Sequence, residues 1–440
     1  MALVDSMQNM FRIPELKKRL LFTLGMFAIY RLGEHVPAPG VNGQALASAF
    51  AAQAGTLFGL YDVFVGGSFS RATIFALGIM PYISASIILQ LLGVVVPYFE
   101  KLRKEGEEGQ KKITQFTRYG TVIIALIQSY AYALFLQSSG AVNGTPIVMD
   151  PGLGFILTMM ITQTAGCILV MWLGEQITER GIGNGISLII FINIIGGLPT
   201  IVQNLFAAFA AGQLNLFLVV FTLAIMVAVI AFVVLLTQAT RKIPVQYAKR
   251  MVGRRMYGGA STHIPLKVNT AGVIPIIFAS SLMILPLTVA SFFPAGSMGQ
   301  DFITQWLSPG RAIYEVMYFV IIVFFAYFYT AVVLNPQDVA ENMRKYGGFV
   351  PGIRPGKKTA EYIDRVLTRI TLPGAIALAL VAVVPDLLFR AFNLPFAFGG
   401  TSVLIVVGVA LDTLQQIESH LLMRHYEGFV KKGRIRGRRA

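Results

Sequence analysis

Apolar residues run through this chain in long blocks rather than at a helical or strand period. Ten blocks of roughly 20 residues, the length a helix needs to cross a bilayer, stand at 20–36, 71–96, 118–137, 152–173, 183–201, 214–236, 271–293, 312–334, 370–388 and 398–417. Signals at period two are absent, so the pattern predicts an all-α polytopic membrane protein and not a β-barrel. An eleventh apolar piece, 56–69, is too short to cross. It carries Asp62 and Gly66-Gly67, which suits a re-entrant segment tucked inside protein. The expected organisation is an N-terminal segment 1–19, a first half 20–201, a second half 202–417 with polar loops 237–270 and 335–369, and a basic tail 418–440.

Two distant stretches repeat one another. Gly78-Ile-Met-Pro81-Tyr-Ile83-Ser-Ala85-Ser86 and Gly272-Val-Ile-Pro275-Ile-Ile277-Phe-Ala279-Ser280 share Gly, Pro, Ile, Ala and Ser in one register. A second echo follows in the same order, Gly185-Ile-Ser187-Leu-Ile-Ile190 against Gly400-Thr-Ser402-Val-Leu-Ile405. Glycine and proline inside apolar spans interrupt the helix. Paired interruptions at matching places in two halves point to the working centre of a transport protein. With five spans per half, a duplicate must run inverted, because an odd number of crossings begins and ends on opposite faces.

Composition agrees: 55% of residues are hydrophobic, 13% are charged, and mean hydropathy is +0.68. Of 36 lysines and arginines, only Arg31, Arg71, Arg311 and Arg390 fall outside one alternate set of connections and termini. Cations remain on the cytoplasmic side, so both termini are expected there. The apolar run after Lys17-Lys18-Arg19 resembles a secretion signal, yet the spans that follow favour a retained first helix. Cys167 has no partner for an intrachain disulfide, and the four histidines form no zinc spacing.

Ionisable residues are nearly missing at mid-span, which argues against an ion-coupled symporter. HExxH, GxSxG, paired mid-membrane aspartates and a GxxxxGK[ST] phosphate loop are all absent. These absences argue against an intramembrane enzyme and leave energy to a partner; no cofactor or metal is implied. The repeats place isoleucine at depth: Ile79, Ile83, Ile190, Ile277 and Ile405. Two readings fit them, ordinary packing or an apolar constriction that blocks ions by dewetting. Ser84, Ser86, Gln128 and Asn269 are polar on apolar spans and should face protein or a cavity. Both long loops are basic, with Lys249, Arg250, Arg254 and Arg255 in one and Arg354, Lys357 and Lys358 in the other. Attraction to anionic lipid accounts for cations close to the membrane. Cations on Pro/Gly-structured loops also suit docking of an acidic partner such as RNA.

Leu77–Ser86, the stretch from Trp172 to Ser187 (WLGEQITERGIGNGIS), Tyr247-Ala-Lys-Arg250, the stretch from Phe349 to Gly356 (FVPGIRPG) and that from Pro395 to Ser402 (PFAFGGTS) resemble the SecY family of protein-conducting channels, over essentially the whole chain. The resemblance implies ten helices in two inverted halves around a central pore, opening sideways to lipid. It implies a pore ring of Ile79, Ile83, Ile190, Ile277 and Ile405 with Ile186 close by, and a plug in 56–69 that includes Phe64, Gly66, Gly67 and Phe69. Spans 71–96, 118–137, 271–293 and 312–334 would form the lateral gate, with Ser84, Ser86, Gln128 and Asn269 at its polar cluster. Gln128 stands where some members outside bacteria carry an acid. The two basic loops would dock the SecA motor ATPase and the ribosome. SecE and SecG small membrane subunits, accessory translocon proteins, signal sequences, nascent polypeptides and membrane lipid complete the implied partners, at the bacterial cytoplasmic membrane.

Overall fold

The structure, a computed structural model, describes residues 13–51, 57–138, 140–142, 145–212, 215–247, 250–252, 255–257, 261–290, 306–307, 311–391 and 399–432. In chain order the helices are α1 (Pro14–Gly33), α2 (Gly43–Ala51), α3 (Leu57–Phe64), α4 (Met80–Val95), α5 (Pro97–Lys104), α6 (Glu107–Ser138), α7 (Leu153–Arg180), α8 (Gly185–Ala210), α9 (Leu216–Gln238), α10 (Ile274–Ala290), α11 (Ala312–Val333), α12 (Pro336–Lys345), α13 (Lys357–Ala391) and α14 (Gly400–Lys432). Among the described residues, seven helices are long and apolar enough to cross a membrane. An eighth span appears if α4 and α5, bent by 96°, are counted as one. The remaining two expected spans are α1, whose first turns carry Lys17, Lys18 and Arg19, and the shorter α10.

The second expected span, 71–96, is not one helix. Residues 71–79 fold as successive turns, and helix begins only at Met80. It ends at Val96, held extended (φ −100°, ψ 119°) ahead of Pro97 because a residue before proline avoids the helical region.

Strands also appear where period-two signals had seemed absent. β1 (Ala141–Val142) and β2 (Thr145–Pro146) make a small hairpin. β3 (Thr240–Tyr247), β4 (Arg250–Val252), β5 (Arg255–Tyr257), β6 (Ser261–Lys267) and β7 (Gly348–Phe349) occupy the polar loops. β3 pairs antiparallel with β6 from Thr240↔Lys267 to Gln246↔Ser261, and β7 adds to its other edge at Gln246↔Phe349. The helical membrane class holds, and the sheets lie outside the expected spans.

The chain divides into two compact units. One holds Met1–Thr200, Leu287–Asp301 and Val409–Ala440; the other holds Ile201–Pro286 and Phe302–Gly408. In the first unit, α6 packs against α4 and α7, and α1 packs against α7. Glycine permits close approaches: Gly33 lies against the Phe75 ring and Gly166 against the Ile74 carbonyl. Phe75 in turn stacks on Tyr30 at 5.5 Å. In the second unit, α11 packs along α13. The sheet shares a core there with α12 and the start of α13, built from Ile243, Val245, Leu266, Met343, Val350, Ile363 and Leu367.

Candidate functional site

Each unit starts its interrupted helix in the same way. Gly78 and Gly272 both adopt left-handed backbone, φ +54° and +64°, which glycine enters without the steric penalty of a Cβ. Two residues later α4 and α10 begin, each with proline as its second residue, where a missing N–H is harmless. Ile83 is the fourth residue of α4, and Ile277 is the fourth residue of α10. The second echo behaves likewise. Gly185 and Gly400 open α8 and α14, and Ile190 and Ile405 are the sixth residues of those helices. Added Cβ atoms there would strike the carbonyls of Gly174 and Val381, so both glycines mark close packing. Ile79, Ile83, Ile190, Ile277 and Ile405 are buried, and Ile186 is half-buried.

The short segment expected as a plug is α3 followed by a run of turns in the first unit. Phe64 and Phe69 are buried, and Gly66 and Gly67 take φ +67° and +79°. The Phe69 ring meets Tyr61 at 4.8 Å, Tyr132 at 4.5 Å and Phe50 at 5.5 Å. Backbone groups are bonded by side chains from several directions. Tyr132 donates to the Phe69 carbonyl at 2.7 Å, and Arg71 donates to the Gly67 and Gly66 carbonyls at 2.9 and 3.1 Å. Asp62 accepts from the Ser70 amide at 2.8 Å. Tyr132 and Arg71 were not singled out by sequence. A tyrosine on an apolar span and an arginine on the cation-poor side were the available signals.

The expected gate residues divide between the units. In the first, Ser84 and Gln128 are buried, and the Gln128 Oε1 has no hydrogen-bond partner among the described residues. Ser86, half-buried, accepts from Gln90 at 3.2 Å. In the second, Asn269 is buried and donates to the Gly272 carbonyl at 3.1 Å, bracing the turn that opens α10.

Of the basic residues, Lys249 and Arg254 lie outside the described residues. Arg250 and Arg255 stand on the β4–β5 hairpin, opposite Tyr257 and Val252 respectively. Arg354 is exposed on a turn between Gly352 and Gly356 (φ +81° and +101°), and Thr359 bonds its carbonyl at 2.9 Å. Lys357 and Lys358 are exposed at the start of α13, where Lys358 pairs with Glu361 at 3.0 Å. Thus two basic loops far apart in sequence belong to one small folded module, with the Arg354 side chain exposed on a turn at its edge. No group of three or more potential metal ligands occurs among the described residues.

The SecY family profile matches residues 73–414. The protein translocase subunit SecY of Escherichia coli (strain K12) is 48% identical over 97% of this chain and 96% of its own length. That of Streptomyces galbus is 50% identical over 96% and 98%. Among solved structures, a protein-conducting channel superposes with TM-score 0.66 at 18% identity, covering 92% of each chain. A SecY protein whose plug domain stabilises the closed channel gives 0.64 at 17% identity, and Sec61 in the canine ribosome–channel complex gives 0.62 at 17%, each again over 92% of both chains.

Proposed function

The chain belongs to the SecY family of protein translocase subunits, and we propose that it conducts unfolded secretory polypeptides through a ring formed by Ile79, Ile83, Ile186, Ile190, Ile277 and Ile405, releasing hydrophobic segments sideways into lipid. It is a multi-pass membrane protein whose task is conduction, not catalysis. The observation that carries the ring is the shared register: equivalent helices in the two units start from equivalent glycines and present isoleucine at the same helical positions.

Branched apolar side chains suit such a constriction. They demand no particular hydrogen bonds of the passing chain, so any sequence can slip through, and a narrow apolar ring dewets and resists ions at rest. Sideways release is favourable for an apolar segment, since burial in lipid yields roughly 25 cal/mol per Å². In this reading, Phe64, Gly66, Gly67 and Phe69 belong to a plug closing the resting channel. Ser84, Ser86, Gln128 and Asn269 tune the separation of the gate helices. Lys249, Arg250, Arg254, Arg255, Arg354, Lys357 and Lys358 receive the ribosome and the SecA motor. SecE and SecG assemble as small membrane subunits. The protein sits in the bacterial cytoplasmic membrane with both termini inside.

Replacing Ile83, Ile190, Ile277 and Ile405 together with serine is expected to raise resting ion conductance in planar bilayers, because hydroxyls allow the ring to wet. Recordings from the quadruple variant with no added leak, at wild-type abundance, would remove the pore from these positions.

A further inference from the structure

Asn193 lies in the third turn of α8, within an otherwise apolar stretch, and is 1% exposed. Its amide nitrogen donates to two groups at once: the carbonyl of Phe64, the last residue of α3, at 2.9 Å, and the hydroxyl of Tyr30 on α1, also at 2.9 Å. Next to it is Glu34, one residue past α1 and fully buried. Arg31 donates to Glu34 Oε2 at 2.6 Å and, through its other terminal nitrogen, to the Ile192 carbonyl. Gly66 passes between these groups in left-handed backbone. A Cβ on it would lie 2.6 Å from Glu34 Oε1 and 3.2 Å from Asn193 Oδ1. Neither of those oxygens has a hydrogen-bond partner among the described residues.

Buried amide and carboxylate groups in a membrane protein are costly unless held. Here they converge from two spanning helices on a third, short element. The Asn193 bond to that element goes to its backbone, so it depends on where the end of α3 lies and not on which side chain it carries. We propose that Asn193, positioned by Tyr30 and flanked by the Arg31–Glu34 pair, is the latch that holds the end of α3 and Gly66 in the closed channel. The inference deepens the plug reading and rests on it. Opening then breaks the Asn193–Phe64 bond and draws Gly66, in left-handed backbone that favours glycine, away from Glu34 and Asn193.

The test uses the full chain purified with its native membrane partners in lipid vesicles, carrying Cys167→Ser and a reporter, Ser68→Cys. Ser68 is fully buried two residues beyond Gly66. With a polar maleimide on both sides of the membrane, labelling should be slow in the parent. It should become about tenfold faster in Asn193→Leu, which removes the donor to Phe64. Tyr30→Phe keeps the ring stacked on Phe75 while freeing the asparagine, and is expected to give a smaller rise. It carries the test alone if Asn193→Leu does not accumulate. A second reporter, Thr121→Cys, is fully buried on α6 and should remain slow in every variant. Unchanged Ser68→Cys labelling in the latch variants, with a slow parent, overturns the latch and leaves the plug reading standing. Fast labelling in the parent itself overturns the plug reading. A parallel rise at Thr121→Cys means general loosening and also overturns the latch.

Discussion

Position 78 illustrates how much a single residue decides here. Gly78 sits in left-handed backbone, and a Cβ there would run into Val65 Cγ1. Left-handed backbone alone costs an L-residue roughly 1–2 kcal/mol, and the collision adds to it because Val65 is itself buried. Gly78→Ala is therefore expected to destabilise the first unit by about 2–4 kcal/mol, read as a lower midpoint of thermal aggregation in detergent. An unchanged midpoint would mean the turn relaxes freely. This glycine was legible in the sequence because it recurs at Gly272 with the same proline three residues on. Asn269 was legible only as a polar residue needing a partner. That its amide goes to the Gly272 carbonyl could not be read, since a backbone acceptor leaves no mark on residue identity. The same blindness hid Asn193, Tyr132 and Arg71, all of which bond carbonyls of the short segment.

At the scale of elements, most spans were legible because each must be apolar over a whole bilayer thickness, while 71–96 read as one span although turns fill 71–79. The sheet built from the polar loops was not. β3 buries only Ile243 and Val245, and its β7 neighbour arrives about 100 residues later in the chain. Short strands with distant partners carry little local signal. This module separates folding from docking by two substitutions. Val245→Asp places an unpaired carboxylate in the shared core, so a loss of about 3 kcal/mol or more is expected, seen as protease cleavage within 237–270. Arg354→Glu changes an exposed side chain on a turn fixed by Gly352 and Gly356 and should leave the module resistant. Lipid attraction is shared over many cations at about 1 kcal/mol each, whereas a docking hot spot is worth roughly 2 kcal/mol or more. Arg354→Glu is therefore expected to impair motor-driven export severely at wild-type abundance. Near-normal export by that variant would reduce the loop's charge to anchoring.

Over the whole molecule, the distribution of charge predicts an orientation. In the first unit, the chain ends that the lysine and arginine distribution assigns to one side are bonded to one another. Arg19 at the start of α1 donates to the Gly181 carbonyl just past α7 at 3.3 Å, and Arg118 on α6 pairs with Glu175 on α7 at 2.9 Å. At the other end of the same helices, Gln137 reaches the Gly152 carbonyl between α6 and α7 at 3.1 Å. The cation-rich ends thus meet at one face of this unit and the cation-poor connection at the opposite face. Because lysine and arginine near span ends resist translocation, the first face should be cytoplasmic. Two exposed positions test it on a Cys167→Ser background: Met149 in the α6–α7 connection, 64% exposed, and Tyr346 after α12, 80% exposed. Met149→Cys should react with a membrane-impermeant maleimide in cells whose outer barrier has been opened, while Tyr346→Cys should react only in inverted vesicles. The opposite assignment would reverse the orientation. Labelling of both from one side would break the link between charge and sidedness for this chain, since 32 of its 36 cations could then no longer be gathered on a single face.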